Sequence, residues 1–283
     1  MKTALNVKAQ HRTPSLEEYI VDNFLFNQKI AQERIAKEGT LHNIKELSDL
    51  ILEPKNFREA YDMYYKEKAI VFEDEYKISE EKLFQGCMYV ILAQQQDYIT
   101  QIEIYNKLFK KGLNTRERIL ENPEEFQKCL TRSMYKKGKA RYITELAKNW
   151  DNHNLVERIQ KKVRKDKETE QFLRKSLVKE VLGFGEKTAS LLLRMCGTKY
   201  LVPVDTWMAE MLYLHGYDVE IIRDVKTREN GAHKRRKSQI NRKRYTHCEE
   251  LTLALAEKYT VPGHILQLAF WTKNSSYRNR KYD

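Results

Sequence analysis

Gly183-Phe184-Gly185 interrupts two helical patterns at one point, and nothing else in the chain constrains its fold as tightly. Lys175 to Leu182 reads as a helix, and Glu186 to Met195 as a second. A short link through Gly197 and Pro203 leads to a third helix that begins at Asp205. Glycine takes backbone conformations closed to other residues, so both Gly183 and Gly185 predict a turn too tight for side chains. Their bare N–H groups, at the head of a helix, can approach a phosphate closely.

Two other glycine-rich loops share part of this pattern and fail on detail. A P-loop needs glycine directly before Lys-Ser/Thr, whereas Glu186 precedes Lys187 here. A dinucleotide fingerprint needs a preceding strand and a third glycine, where this chain has a helical pattern and Thr188.

Taken together, Leu182-Gly183-Phe184-Gly185-x-Lys187-Thr188-Ala189 and Val202-Pro203-Val204-Asp205 resemble the helix-hairpin-helix DNA glycosylase superfamily, which includes endonuclease III and 8-oxoguanine glycosylases. The resemblance implies that Lys187 and Asp205 are the catalytic lysine and aspartate, and that Gly183 and Gly185 contact DNA. The chemistry fits those residue types. An amine in the first turn of a helix meets the positive dipole end, which disfavours its ammonium form, and partial burial adds to the effect. Such an amine can attack a sugar carbon, and a carboxylate beside it stabilises the positive charge left as a base departs. Each residue also has a plainer reading: Lys187 as a solvated surface lysine, Asp205 as the N-cap of the helix through Thr206-Trp207-Met208.

Helical signals recur along most of the chain, so the predicted class is all-α. Ser15-Leu16-Glu17-Glu18 is a capping box, and Asn122-Pro123 opens another helix. Leu83, Phe84, Cys87, Met88 and Ile91 keep a helical period, as do Ile102, Tyr105, Leu108 and Phe109. Lys68 to Glu73 (KAIVFE) is the one segment that reads as a strand. The resemblance implies two helical domains with the helix-hairpin-helix motif and an active cleft between them: a barrel over 78–199, and a partner domain made from 1–77 and 200–283.

Further positions carry expectations of their own. Ile91-Leu92-Ala93-Gln94-Gln95-Gln96-Asp97 resembles the family segment whose glutamine enters the duplex, so Gln94 is the candidate to fill the gap left by an extruded base, with Gln95 and Gln96 as alternatives. The competing reading is a polar helix end before a helix capped by Asp97. Lys139-Ala140-Arg141-Tyr142-Ile143 resembles the helix start that precedes the hairpin. Near the C-terminus, Gln267 and Trp271 share a helix face and resemble the glutamine and aromatic residue that hold the lesion in an 8-oxoguanine glycosylase: an amide for the base edge, an indole for its plane. An aromatic stripe at helical spacing is otherwise core.

Charge favours a nucleic-acid partner. The 283 residues hold 52 Lys+Arg against 40 Asp+Glu, a net +12. Within Arg223 to Arg244 there are ten basic and two acidic residues, and Lys234, Arg235 and Arg236 are candidate DNA contacts there, unless the run is a solvated loop. No apolar run has the form of a signal peptide or a membrane span, so an intracellular protein is expected, cytoplasmic, or nuclear in a eukaryote, acting on damaged double-stranded DNA as a monomer. The four cysteines, Cys87, Cys129, Cys196 and Cys248, lack metal-site spacing. Neither an iron–sulfur cluster nor a catalytic metal is expected, although hairpins of the family often use a monovalent cation. The expected function is base excision with abasic-site lyase activity through a lysine Schiff base, 8-oxoguanine being the favoured lesion. Oxidised pyrimidines, alkylated purines and a non-catalytic DNA-binding role are the alternatives.

Overall fold

Ser79 starts the central helix of the molecule: its side chain accepts from the Lys82 N–H at 3.3 Å, and Glu80 and Glu81 complement the positive dipole of the first turn. Every residue from Leu83 to Leu92 is buried, which marks a helix packed on all sides. The computed structural model describes residues 54–72, 77–205, 208–209, 212, 228–229, 232–233 and 242–279. In chain order the helices are α1 (Pro54–Val71), α2 (Glu80–Leu92), α3 (Tyr98–Lys110), α4 (Arg116–Glu121), α5 (Pro123–Cys129), α6 (Lys136–Lys148), α7 (Trp150–His153), α8 (Leu155–Lys162), α9 (Lys167–Glu180), α10 (Glu186–Met195), α11 (Arg242–Lys258) and α12 (Gly263–Asn279). The fold is all-α. Beside the helices there is only a two-residue antiparallel pairing of β1 (Arg228–Glu229) with β2 (Ala232–His233) among the described residues.

Side-chain caps set several boundaries. Asp97 caps α3 through the Thr100 N–H at 2.8 Å, and Asp166 caps α9 through the Thr169 N–H at 2.7 Å. Pro123 opens α5 as expected, but Asn122 does not cap it; its amide donates back to the Arg118 carbonyl at 3.1 Å. Two expectations need correction. Lys68 to Val71 is the last turn of α1 and not a strand, because Val71 joins a buried helical face that packs on the central core. The first hairpin helix begins at Lys167 and ends at Glu180, since Asp166 supplies the cap and Val181 is already extended. The capping box at Ser15 lies outside the described residues.

Two hydrophobic cores form. One gathers residues from Val71 to Leu201, centred on α2 and α10. The other joins Ala60 and Tyr61 of α1 to Val202, Val204, Met208, Tyr245 of α11 and Phe270 of α12, with α12 packed along α1. A buried polar cluster ties them together. Arg174 of α9 pairs with Glu249 of α11 at 2.6 Å, Glu249 accepts from the Val202 N–H at 3.0 Å, and the Tyr245 hydroxyl accepts from the Val204 N–H at 3.2 Å. The backbone that leads to Asp205 is thereby held from both sides.

Candidate active site

The hairpin turn is made by Gly183, whose φ of +89° lies in the left-handed region; a Cβ there would also meet the Tyr142 ring at 2.4 Å. Gly185 is different. It is extended, at φ −109° and ψ 177°, and a Cβ at this position would enter open space, so the conformational need expected at both glycines exists at Gly183 alone. Gly185 is the N-cap of α10 and offers no side-chain cap.

Within the first turn of this helix, Lys187 sets its Nζ 3.3 Å from Asp205 Oδ2. The lysine side chain is 50% exposed, more open than the partial burial expected, whereas Asp205 is only 8% exposed. The other carboxylate oxygen, Oδ1, accepts from the Met208 N–H at 2.9 Å. Asp205 is thus both a helix cap and an oriented carboxylate: the cap fixes one oxygen and leaves the second to the amine.

Both groups line a cleft of about 570 Å³, mouth included, whose walls come from both cores: α1, α2, the turn after it, α3, α10, Pro203 and α12. Gln267 and Trp271 face the same cleft. Their helix face therefore lines a cavity as well as packing inward. Trp271 meets the Tyr98 ring edge-on, with centroids 5.4 Å apart. Gln267 is 5% exposed, and its Oε1 accepts from Arg194 Nη1. Arg194 in turn pairs through Nη2 with Glu67 of α1. Burial pushes the Glu67 carboxyl above its usual range, while Arg194 and the Tyr89 hydroxyl pull it back.

Arg194 and Glu67 are site residues that the motif reading does not reach. Arg194 has a readable signal, since it lies two turns beyond Lys187 on one face of α10 with Leu191 between them. Glu67 has none, because it reaches the site only through long-range packing of α1.

The three glutamines after α2 separate in the structure. Gln94 Nε2 donates to the Gly183 carbonyl at 2.6 Å and approaches Thr188 Oγ1 at 3.3 Å, which ties this turn to the hairpin. Gln96 Oε1 accepts from the Met134 N–H at 2.9 Å. Gln95 is exposed and has a φ of +51°. Lys139 of α6 is buried beneath the same turn, where its Nζ donates to the Leu92 carbonyl at 2.8 Å and to Ser133 Oγ at 3.1 Å. Lys234, Arg235 and Arg236 lie outside the described residues. The four cysteines are buried free thiols. Among the described residues no helix is long and apolar enough to cross a membrane.

Comparison with known proteins shows the family and the fold. Residues 65–261 match the 8-oxoguanine DNA glycosylase (Ogg-HhH) family. Among solved structures, the 8-oxoguanine DNA glycosylase of Thermotoga maritima superposes with a TM-score of 0.57 at 21% identity, covering 81% of this chain and 96% of that one. The Methanocaldococcus jannaschii 8-oxoguanine DNA glycosylase gives 0.54 at 19%, covering 90% and 96%. The 8-oxoguanine glycosylase/lyase of the same organism, in complex with a 15mer DNA containing 8-oxoguanine, gives 0.56 at 20%, covering 78% and 96%. At these identities the likeness is one of fold. No curated protein matches the sequence. The family match spans the hairpin, Lys187, Asp205 and most of both cores, and the chain belongs to the Ogg-HhH family of 8-oxoguanine DNA glycosylases.

Proposed function

We propose that this base-excision DNA glycosylase is also an abasic-site lyase, that it removes an oxidised purine, 8-oxoguanine first, and that Lys187 is its nucleophile. The observation that carries the reading is the Lys187 amine 3.3 Å from the oriented Asp205 carboxylate, in one cleft with Gln267 and Trp271. A damaged nucleotide extruded from double-stranded DNA would bring its C1′ to Lys187 and its base toward Gln267 and Trp271.

The bonds then balance without a redox cofactor or catalytic metal. The Lys187 lone pair forms a bond to C1′ as the C1′–N9 bond breaks; the electron pair leaves with the base, which takes up a proton. Asp205 stabilises the positive sugar in between. Opening of the sugar ring gives an iminium, loss of a C2′ proton expels the 3′ phosphate by β-elimination, and water releases the lysine. Residues 78–199 would act as the barrel domain, with 1–77 and 200–283 as its partner; the two cores follow this division except at Val71, Phe72 and Leu201, which pack with the first. Gly183 and Gly185 would meet the phosphate backbone. Gln94, Gln95 and Gln96 are the candidates to enter the duplex, and Gln95 is the exposed one of the three. A monovalent cation at the hairpin would be held between turn carbonyls and the phosphate.

Borohydride trapping on duplexes bearing 8-oxoguanine, an oxidised pyrimidine or an alkylated purine tests the amine and the lesion together. A covalent adduct is expected, fastest with 8-oxoguanine, and Lys187→Gln should abolish it while duplex binding persists. Undiminished trapping in that variant would remove Lys187 from the mechanism. Asp205→Asn should slow single-turnover excision by roughly two orders of magnitude or more through loss of the stabilising charge. An unchanged rate would leave Asp205 as a helix cap only.

A further inference from the structure

A guanidinium has five N–H donors and no acceptor, so its bond to a glutamine side chain can use only the amide oxygen. In this chain Arg194 Nη1 takes Gln267 Oε1, and the buried Glu67 carboxylate holds Arg194 through Nη2. The end of Gln267 left for the cleft is therefore the NH₂ group, a donor. Arg194 also lines the cleft, and its Nε–H is buried with no hydrogen-bond partner among the described residues, a second donor without an acceptor. Glu67 offers no compensating acceptor, since it is committed to Arg194 and to the Tyr89 hydroxyl.

Position along α10 says which part of a base these donors meet. Arg194 lies seven residues beyond Lys187, a rise of roughly 10 Å along the helix. With the sugar C1′ at Lys187, the Arg194–Gln267 wall faces the edge of the base remote from the sugar. In a purine that edge carries the group on C6.

We propose that Arg194, braced by Glu67, is a positioning residue that locks Gln267 as a hydrogen-bond donor, so that the pocket selects oxidised purines with a C6 carbonyl over those with a C6 amine. The proposal rests on the cleft being the base pocket of the glycosylase. A carbonyl oxygen accepts from the Gln267 amide. At C6 itself an amine sets donor against donor, so an amide held against that position loses its acceptor out of water, which is the kind of mismatch that gives large discrimination.

The test is single-turnover excision by the full chain from duplexes carrying 8-oxoguanine, 8-oxohypoxanthine or 8-oxoadenine. The first two share the C6 carbonyl and should be excised at similar rates, although the second lacks the 2-amino group. The third should be slower by on the order of a hundredfold or more. Gln267→Glu keeps an oxygen for Arg194 but presents an acceptor to the cleft, so the preference for 8-oxoguanine over 8-oxoadenine should collapse. Replacing one member of the buried ion pair would strand a charge, so the pair is changed together: Glu67→Leu with Arg194→Met frees the amide to turn either way, and the preference should fall toward parity. A merely structural role for the pair would lower both rates and leave their ratio in place. Equal excision of 8-oxoadenine and 8-oxoguanine by the unaltered protein, or an unchanged ratio in Gln267→Glu, would overturn the proposal even with lysine trapping intact. Absence of both trapping and excision would instead remove the glycosylase reading, and this inference with it.

Discussion

At Trp271 two roles predict opposite results. If the indole stacks on a flipped base, Trp271→Ala removes stacking worth roughly 1–3 kcal/mol. Excision of 8-oxoguanine then falls while cleavage at a preformed abasic site, which has no base to hold, is affected far less. If the indole is chiefly core, its removal costs about 3–5 kcal/mol of stability and lowers both activities together. The partly exposed ring in the cleft, edge-on to Tyr98, favours the first outcome. Measuring both activities beside the melting temperature decides between them, and parallel loss in a destabilised protein would end the stacking role. Lys187, Asp205, Gln267 and Trp271 come within reach of the sequence through segments that resemble the family, a turn and one helix face, and all four line one cleft. Glu67 is not, because its neighbourhood is created by the packing of α1 against α2, α10 and α12.

Among the helices, the turn after α2 shows how a buried cation can be tolerated at the edge of a site. The Lys139 side chain, 1% exposed, reaches the C-terminal carbonyl of Leu92, and burial pushes its pKa down to about 8. Between that value and the ordinary lysine value of 10.5, the unfolded chain binds a proton that the folded one does not. Stability conferred by this group therefore rises with pH across that window, and the cost of burying the charged form is fully present below it. Lys139→Met cannot titrate, so the stability of the natural protein should gain on the variant between pH of about 8 and 10 in denaturant melts. A constant difference would mean that the amine stays charged and hydrated in the fold. This burial is invisible to periodicity, since the helical pattern of α6 marks Ala140, Ile143 and Leu146 but a lysine counts as surface. The helix–turn–helix order itself is plain from the residues. Its first boundary falls eight residues before the expected start at Lys175, because the cap at Asp166 sets it. The strand reading of KAIVFE fails because β-branched residues also suit a buried helix end.

Over the whole molecule, charge and core packing make separate contributions. The net +12 predicts binding that weakens steeply with salt, and neutralising Lys234, Arg235, Arg236 and Lys237 together should reduce affinity for lesion and undamaged duplex alike and flatten the salt slope. Unaltered affinity at low salt would leave the segment without a DNA role. The contact between the cores makes a sharper demand. Arg174 and Glu249 are 5% and 2% exposed, 2.6 Å apart, and bring together α9 from the first core with α11 from the second. Burial pushes the Glu249 carboxyl up, and Arg174 beside it holds it back. Glu249→Gln removes that counter-charge and strands the guanidinium, at a cost of about 3–5 kcal/mol. Replacing the pair by apolar residues, Arg174→Met with Glu249→Leu, should recover most of this loss, because two desolvated charges are removed at once. Activity should not recover with stability. Glu249 also accepts from the Val202 N–H, and that backbone carries Val204 and then Asp205 toward Lys187, so without the acceptor the carboxylate loses part of its support. The paired variant is thus expected to melt near the natural protein yet excise more slowly, with Lys187 trapping reduced in proportion. Full recovery of both would show that the link serves the joining of the cores alone, and failure of the double variant to regain stability would show that the ion pair itself, rather than its desolvation, dominates the junction.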